Sequence, residues 1–281
     1  MAADASTIAP SGTGLMSPEE HAAFARIVRE HAGITLGEGK RQLLSSRLQR
    51  RMRTLGLASF SGYRRHLLAH LDEELDEFIH AITTNLTAFF REDHHFQFLD
   101  RFFRDCPAGS SLRLWSAGCS TGEEAYSMAM VFRESQAARR RVALRILATD
   151  VDAHCVELAR AGIYEEAAAS GLDRSRLAAH CLRGIGRNQG SIRIRPEVRE
   201  LVRFQVQNLL DPWPALGAFD VVFCRNVVIY FDDASQRMLF DRFADRLKPG
   251  GLMVIGHSEN LQRVSSRFAR LGRTIYRRVD A

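Results

Sequence analysis

The stretch Leu112-Arg113-Leu114-Trp115-Ser116-Ala117-Gly118-Cys119-Ser120-Thr121-Gly122-Glu123-Glu124-Ala125-Tyr126-Ser127 decides the fold. It opens as an apolar, alternating run, breaks into small residues and two glycines, turns acidic, and continues into an Ala-, Met- and Tyr-rich segment of helical character. The order is strand, tight loop, helix. Small residues suit a loop that a ligand approaches closely, because glycine has no Cβ to block it. A plain tight turn between a strand and a helix has the same composition, and both readings stand at this point.

The loop narrows the ligand chemistry. Helix N-termini ordinarily attract phosphate, but Glu123 and Glu124 occupy this helix start and would repel a diphosphate. The G-x-G-x-x-G spacing of a dinucleotide fingerprint is also missing. A ligand with an ammonium or sulfonium group fits better, and S-adenosylmethionine (SAM) carries both.

The chain has 281 residues, 46% of them hydrophobic, enough for one large domain and a smaller one. No apolar run reaches the roughly 18 residues of a membrane span, and the N-terminus lacks a signal-peptide pattern. The expectation is a cytoplasmic protein that is not integral to a membrane. Cys106, Cys119, Cys155, Cys181 and Cys224 are scattered without C-x-x-C spacing and read as reduced core residues. A net charge of +6 implies an acidic partner, whether nucleic acid, an anionic surface or an acidic protein face.

Residues 1–16 are small and polar and read as a disordered tail. Ser17-Pro18-Glu19-Glu20 is a helix start, followed by Phe24, Ile27, Val28 and His31 at helical spacing and closed by Gly33. A second helix is expected from Gly39 to Leu55, with Leu44, Leu48, Met52 and Leu55 as its apolar stripe. Lys40, Arg41, Arg47, Arg50, Arg51 and Arg53 surround that stripe with no acid among them. The basic face is either merely solvated or a dock for something acidic; the lack of opposite charges at i,i+4 favours a dock. Helices at Ser59 to His70 and Asp72 to Ile82 complete a small helical domain. The segment Thr83 to Phe96 is a junction, from which a helix runs to about Arg104. Its His94 and His95 are adjacent rather than i,i+4, so no metal is expected.

Beyond the helix over 123–138, Ala143 to Asp150 reads as a second strand ending in an acid. In a nucleotide-type α/β fold a carboxylate there grips a ribose diol; Asp150 could otherwise cap the next helix, for which Asp152 is the better candidate. Residues 163–200 change pattern. A short helix starts at Ser170 to Asp173, and Leu182 to Arg195 resembles a hairpin, with a Gly/Asn turn beside Ile/Arg alternation. This antiparallel insertion is either an edge that a peptide can join or a spacer. Val202 to Asn208 and the apolar Phe219 to Asn226 are strands, and Ala234 to Leu247 is a helix. Lys248-Pro249-Gly250-Gly251 is expected to break it before a strand at Leu252 to Gly256. Phe268 to Leu271 and Thr274 to Arg277 form a closing hairpin.

This order resembles the class I SAM-dependent methyltransferase fold, a Rossmann-like α/β sheet, here with an N-terminal all-helical domain and a small antiparallel β insertion. Four segments look specifically like the CheR-type chemotaxis receptor glutamate methyltransferases: Thr84-Asn85-Leu86-Thr87-Ala88-Phe89-Phe90-Arg91-Glu92; Trp115-Ser116-Ala117 with Ser120-Thr121-Gly122-Glu123-Glu124; Phe223-Cys224-Arg225-Asn226-Val227 with Ile229-Tyr230-Phe231-Asp232; and Gly256-His257-Ser258-Glu259-Asn260. The resemblance spans about Ser17 to Val279 and implies a helical substrate-docking domain at 17–88 and a SAM-binding domain at 89–281. It implies that Asn85, Thr87 and Arg91 reach the methionyl end of SAM, that Glu124 lies near its ammonium, that Asp150 holds the ribose, and that Asn208 and Leu209 flank the adenine. Arg225, Asn226 and Tyr230 would line the methyl-transfer mouth. Gly118-Cys119 looks like a tolerant, variable spot.

The reaction implied is esterification of glutamate side chains on chemoreceptor cytoplasmic helices, yielding the methyl ester and S-adenosylhomocysteine. A glutamate near pKa 4.3 is already an anion at neutral pH, so no general base is required. Arg91 and Tyr230 are then the expected catalytic, orienting residues, and Arg47 and Arg53 the receptor-binding ones. The hairpin at 182–195 resembles the part with which some family members hold a receptor's C-terminal peptide. A monomer is expected. A nucleic-acid methyltransferase is disfavoured because Cys224-Arg225-Asn226-Val227 replaces the N-P-P-Y type motif and no aromatic platform interleaves with the arginines. A non-catalytic SAM-sensing protein is disfavoured because every matched position is intact.

Overall fold

The computed structural model describes residues 15–279. The expected tail at 1–16 lies outside these except for its last two residues, of which Met16 is buried. The chain divides into two compact units, 1–83 and 84–281. The division therefore falls after Thr83, and Thr84 to Ala88 go with the second unit.

In the first unit, α1 (Pro18–Ala32) opens with a reciprocal cap: Ser17 Oγ accepts the Glu20 N–H, while Glu20 Oε2 accepts the Ser17 N–H at 3.0 Å. Gly33 closes it at φ 70°. A 3-10 turn (Glu38–Lys40) leads into α2 (Arg41–Thr54), which packs with α3 (Phe60–Ala69) and α4 (Leu71–Ile82) around Phe24, Leu48, Met52, Tyr63 and Phe78. The basic face of α2 is not uniformly open. Arg51 makes two bonds to Glu74, at 2.9 and 2.6 Å, and lies 3.1 Å from Glu77. Opposite charges are present after all, 23 residues away on α4 and so outside any i,i+4 pattern.

The second unit begins with α5 (His94–Asp105), then β1 (Ser111–Ala117), α6 (Glu123–Glu134), α7 (Gln136–Arg139), β2 (Ala143–Asp150) and α8 (Ala153–Ala161). The expected helix over 123–138 is divided at Ser135, whose backbone is extended. The insertion follows: β3 (Ile163–Glu165), α9 (Arg174–His180), β4 (Cys181–Arg183) and β5 (Ser191–Ile194), then α10 (Pro196–Arg199). The chain ends with β6 (Val202–Val206), β7 (Phe219–Cys224), α11 (Asp233–Arg246), β8 (Leu247–Ile255), β9 (Phe268–Arg270) and β10 (Ile275–Arg278).

Seven strands form one sheet in the order β6-β2-β1-β7-β8-β10-β9. The first five are parallel, and the closing hairpin β9/β10 joins antiparallel through β10. Alternate residues sort to the two faces: Leu112, Leu114, Phe223 and Val254 join the core that holds Phe96, Phe103 and Met128 of α5 and α6, while Trp115, Ala117, Cys224 and Ile255 join that of Phe240 and Phe243 of α11. The hairpin of the insertion, β4 with β5, does not extend this sheet. It pairs with β3 in a separate antiparallel sheet, β3-β5-β4.

Lys248-Pro249-Gly250-Gly251 does not precede the strand but lies within it. Phe219 pairs with Leu247 and Val221 with Leu252, so four residues bulge opposite Asp220. Gly250 takes φ 73° there, and Lys248 Nζ bonds Asp220 at 2.7 Å. Proline and glycine end a helix and shape a bulge by the same means, lost donors and positive φ.

The strand order reverses between β1 and β7. In open parallel sheets the carboxyl ends of the two strands at such a switch point flank the ligand crevice. Here those ends carry Gly118 to Gly122 and Arg225 to Tyr230.

Candidate active site

The loop after β1 requires its glycines for conformation and packing. Gly118 sits at φ 84°, and a Cβ there would fall 2.2 Å from Val227 Cγ2; Gly122 sits at φ 96°, and a Cβ would fall 2.8 Å from Ala159 Cβ. Cys119 is buried and its thiol is pushed well up by desolvation. Gly118-Cys119 is thus a tightly determined position, correcting its reading as a tolerant one.

Asp150, at the tip of β2, is tied to that loop. Its Oδ2 accepts the Ser120 N–H at 2.7 Å and its Oδ1 the Asp152 N–H at 3.0 Å. Burial outweighs these two amides and pushes the carboxyl up to about 6. Asp152, fully buried, is the cap of α8, accepting the Cys155 N–H at 3.2 Å. Asp150 is therefore not the cap, which leaves its remaining lone pairs for a ligand. Asn85 joins the same knot: its Nδ2 donates to Asp152 at 2.7 Å and its carbonyl accepts the Ser120 hydroxyl at 3.0 Å.

Glu124 lies one strand over. Its Oε1 accepts the Ser116 hydroxyl at 2.7 Å and its Oε2 faces Arg225 Nη1 at 2.9 Å. The negative charge expected to welcome a ligand ammonium is already shared with an internal guanidinium. Glu123 turns inward to accept from the Thr121 hydroxyl, and desolvation pushes its carboxyl up.

Arg225 is the hub. Besides Glu124 it reaches the Arg91 carbonyl at 2.5 Å and Glu92 Oε2 at 3.4 Å, with only 2% of its side chain exposed. Glu92 in turn accepts from His257 Nδ1 at 2.7 Å. Arg91 donates to the Leu86 carbonyl at 2.9 Å, closing the junction turn in which half-buried Thr87 lies. The donor atoms of Glu92, His94 and His95 lie within 4.8 Å of one another, so sequence adjacency does not keep the two imidazoles apart. Arg225 already faces the Glu92 oxygen, and burial holds His95 far below the usual imidazole range.

Asn208 follows β6, beside Asp150: Val206 pairs with Asp150, and the Gln207 N–H bonds the Asp150 carbonyl at 2.8 Å. Its side chain folds the turn, accepting from Leu210 N at 3.0 Å, and Leu209 is buried. Asn226, at φ 58°, and Tyr230, in a 3-10 turn over Val228–Tyr230, follow β7. Hydrogen bonds thus join Asn85 to Asp150 through Ser120 and Asp152, and a second set, with the ion pair to Glu92, joins Glu124, Glu92 and the Arg91 carbonyl through Arg225. Asn208, Leu209, Asn226 and Tyr230 are placed by their strands, and Thr87 by its turn. Arg47 and Arg53 lie on α2 in the other unit, and they differ. Arg53 is exposed, whereas Arg47 donates to the Ile82 and Thr83 carbonyls at the end of α4, which gives it a structural task.

Sequence reasoning missed Glu92, His257 and Glu259. All three stand inside recognised segments, but their partners are a distant side chain or backbone amides, which no spacing reveals.

The parallel sheet, its switch point and the acid at the second strand tip define a class I methyltransferase architecture. Against known families, residues 19–83 match the CheR methyltransferase all-alpha domain and residues 85–277 the CheR methyltransferase SAM binding domain. The chain belongs to this family. It is 42% identical over 259 residues to the chemotaxis protein methyltransferase of Klebsiella aerogenes, covering 90% of this chain and 87% of that one. It is 40% identical over 255 residues to the chemotaxis protein methyltransferase of Escherichia coli (strain K12), covering 90% and 88%. It is 43% identical over 249 residues to chemotaxis protein methyltransferase 2 of Pseudomonas aeruginosa, covering 87% of each chain.

Proposed function

We propose that this SAM-dependent methyltransferase esterifies glutamate side chains on the cytoplasmic helices of chemoreceptors. The observation that carries the reading is the chemistry of the residues at the switch point. Carboxylates at the β2 tip and the α6 start suit a ribose diol and an ammonium group, and the side chains after β7 and at the junction, Asn226, Tyr230 and Arg91, are hydrogen-bond donors or a cation suited to an anionic acceptor, while Arg225 is held by Glu124 and Glu92. The donor set therefore fits SAM on one side and a carboxylate on the other.

SAM, when bound, supplies an electrophilic methyl on a sulfonium. A glutamate oxygen forms the new C–O bond as the C–S bond breaks, its electron pair passing to sulfur; no proton moves. The protein's contribution is alignment. Asp150 holds the diol, Asn85, Thr87 and Glu124 the methionyl end, and Asn208 with Leu209 the adenine. Arg225 and Asn226 shape the mouth, while Arg91 and Tyr230 orient the carboxylate against the methyl. Charge neutralisation as the sulfonium and carboxylate react favours a dry mouth, which the buried Arg225 network supports.

Arg50 and Arg53, exposed on α2, would meet the acidic flank of a receptor helix. The cleft of about 580 Å³ at the insertion, lined by Arg174, Leu177, Ala178, Arg183 and Arg195, would take a receptor's C-terminal peptide beside edge strand β4. The enzyme acts as a monomer in the cytoplasm; no helix among the described residues is long and apolar enough to cross a membrane. Acidic helical partners also account for the basic charge without nucleic acid.

Transfer of labelled methyl from SAM to chemoreceptor-containing membranes tests the reading, with D150A as control and alkaline hydrolysis of the product. Base-labile label absent from the control supports it; a wild-type enzyme that binds SAM and labels no receptor carboxyl overturns it.

A further inference from the structure

The loop after β7 carries Asn226 and Tyr230, yet nothing in its own sequence explains how it is held. Asn226 has φ 58°, and Val227 returns to right-handed backbone at φ −113°, ψ −49°. Successive left- and right-handed residues turn their N–H groups to one side and form a concavity for an anion. Here that anion is a side chain of the protein. Glu259 Oε2 accepts from the Asn226 N–H at 3.1 Å, and Oε1 accepts from Val227 at 3.0 Å and Val228 at 3.1 Å. The Gly256 N–H completes the set on Oε2 at 2.6 Å.

A carboxylate has about four lone-pair sites, and these four amides match them. Glu259 is 8% exposed, and burial raises its carboxyl against the pull of the four donors. Its segment turns back from the end of β8, and a Cβ on Gly256 would fall 2.6 Å from Asn226 Nδ2, so the loops after β7 and β8 interlock. Without the carboxylate, three consecutive amides would lose their acceptor, and left-handed Asn226 would lose what compensates its strain.

We infer that Glu259 is the positioning residue of the methyl-transfer mouth: by accepting the amides of 226, 227 and 228 it pre-forms the path from Arg225 to Tyr230 without touching either substrate. The inference rests on the assignment of Asn226 and Tyr230 to that mouth. In E259Q one oxygen becomes an NH2 group, which faces amide donors and cannot accept from them.

The test compares wild type and E259Q for kcat and KM on chemoreceptor-containing membranes and for S-adenosylhomocysteine binding by calorimetry, below the melting temperature of both. We expect kcat to fall about 100-fold, as misplacement of about 1 Å at a reacting centre does, with KM and S-adenosylhomocysteine affinity near wild type. Unchanged kcat in folded E259Q, or a loss equal to the unfolded fraction, overturns the proposal. Should E259Q fail to fold, amide exchange in the wild type decides. Asn226, Val227 and Val228 must exchange as slowly as the β7 core; exchange at the rate of an open loop overturns the clamp. A wild-type enzyme that methylates nothing would instead overturn the proposed reaction, leaving the exchange result to stand on its own.

Discussion

Arg225 Nη1 lies 2.9 Å from Glu124 Oε2, and the two side chains are 2% and 12% exposed. The pair ties the loop after β7 to the first turn of α6 across the point where the strand order reverses. Removing one partner of a buried pair leaves the other charge without compensation, at roughly 3–5 kcal/mol. R225A strands both Glu124 and Glu92, so it should lower the calorimetric melting temperature clearly more than E124Q, whose amide oxygen still accepts from Arg225 while its NH2 group donates to the Ser116 hydroxyl. Equal effects of the two variants would show that net charge, not the hydrogen-bonded geometry, matters here.

Asp150 gives the site a pH dependence of definite sign. Its folded carboxyl titrates near 6, above its ordinary 3.8, because burial disfavours the anion. The folded state therefore holds the proton more tightly, and this group's contribution to stability declines as pH rises from about 4 to about 6. Ribose hydroxyls donate to the anion, so binding has the opposite preference. S-adenosylhomocysteine affinity should fall as pH drops below about 6, with proton release on binding at pH 5.5 in calorimetry across buffers of different ionisation enthalpy. In D150N the proton release should vanish. A pH-independent affinity in the wild type would remove Asp150 from the diol.

What was legible in the sequence was whatever repeats at short range. Alternation located β1, an unbroken apolar run located β7, and the caps at Ser17 and Asp152 stood directly before their helices. The Lys248–Gly251 bulge was misread because the residues that break a helix also shape a bulge. β3, three residues long, has too few positions to show any period. The interactions that organise the site were invisible for another reason. Glu259 binds backbone amides 31 to 33 residues away, and Arg51 meets Glu74 at a separation of 23. Only the fold brings such groups together.

Gly118 offers a test of the loop. At φ 84°, with Val227 Cγ2 at 2.2 Å from a built Cβ, G118A combines backbone strain with a clash. Each effect costs about 1–3 kcal/mol. Urea unfolding should show a loss of about 2–6 kcal/mol where the two add, and methyl transfer should fall further than stability alone accounts for, because relief of the clash displaces Val227 within the Glu259 clamp. A G118A protein with wild-type stability would show that the loop can back away at no cost.

The basic helix separates docking from structure. Arg53 is exposed, whereas Arg47 binds the last carbonyls of α4. R53E should raise KM for receptor membranes and leave both the melting temperature and S-adenosylhomocysteine affinity near wild type. R47E should instead lower the melting temperature, since a carboxylate cannot donate to the Ile82 and Thr83 carbonyls and sits unfavourably at a helix C-terminus, a loss of about 1–3 kcal/mol. Exposed charges are screened over about 8 Å at physiological salt, so wild-type activity should decline as ionic strength rises, and R53E should show a shallower decline. The measurement is initial rate against added NaCl for both proteins. A flat wild-type profile, or identical slopes, would mean that α2 does not dock the receptor through Arg53.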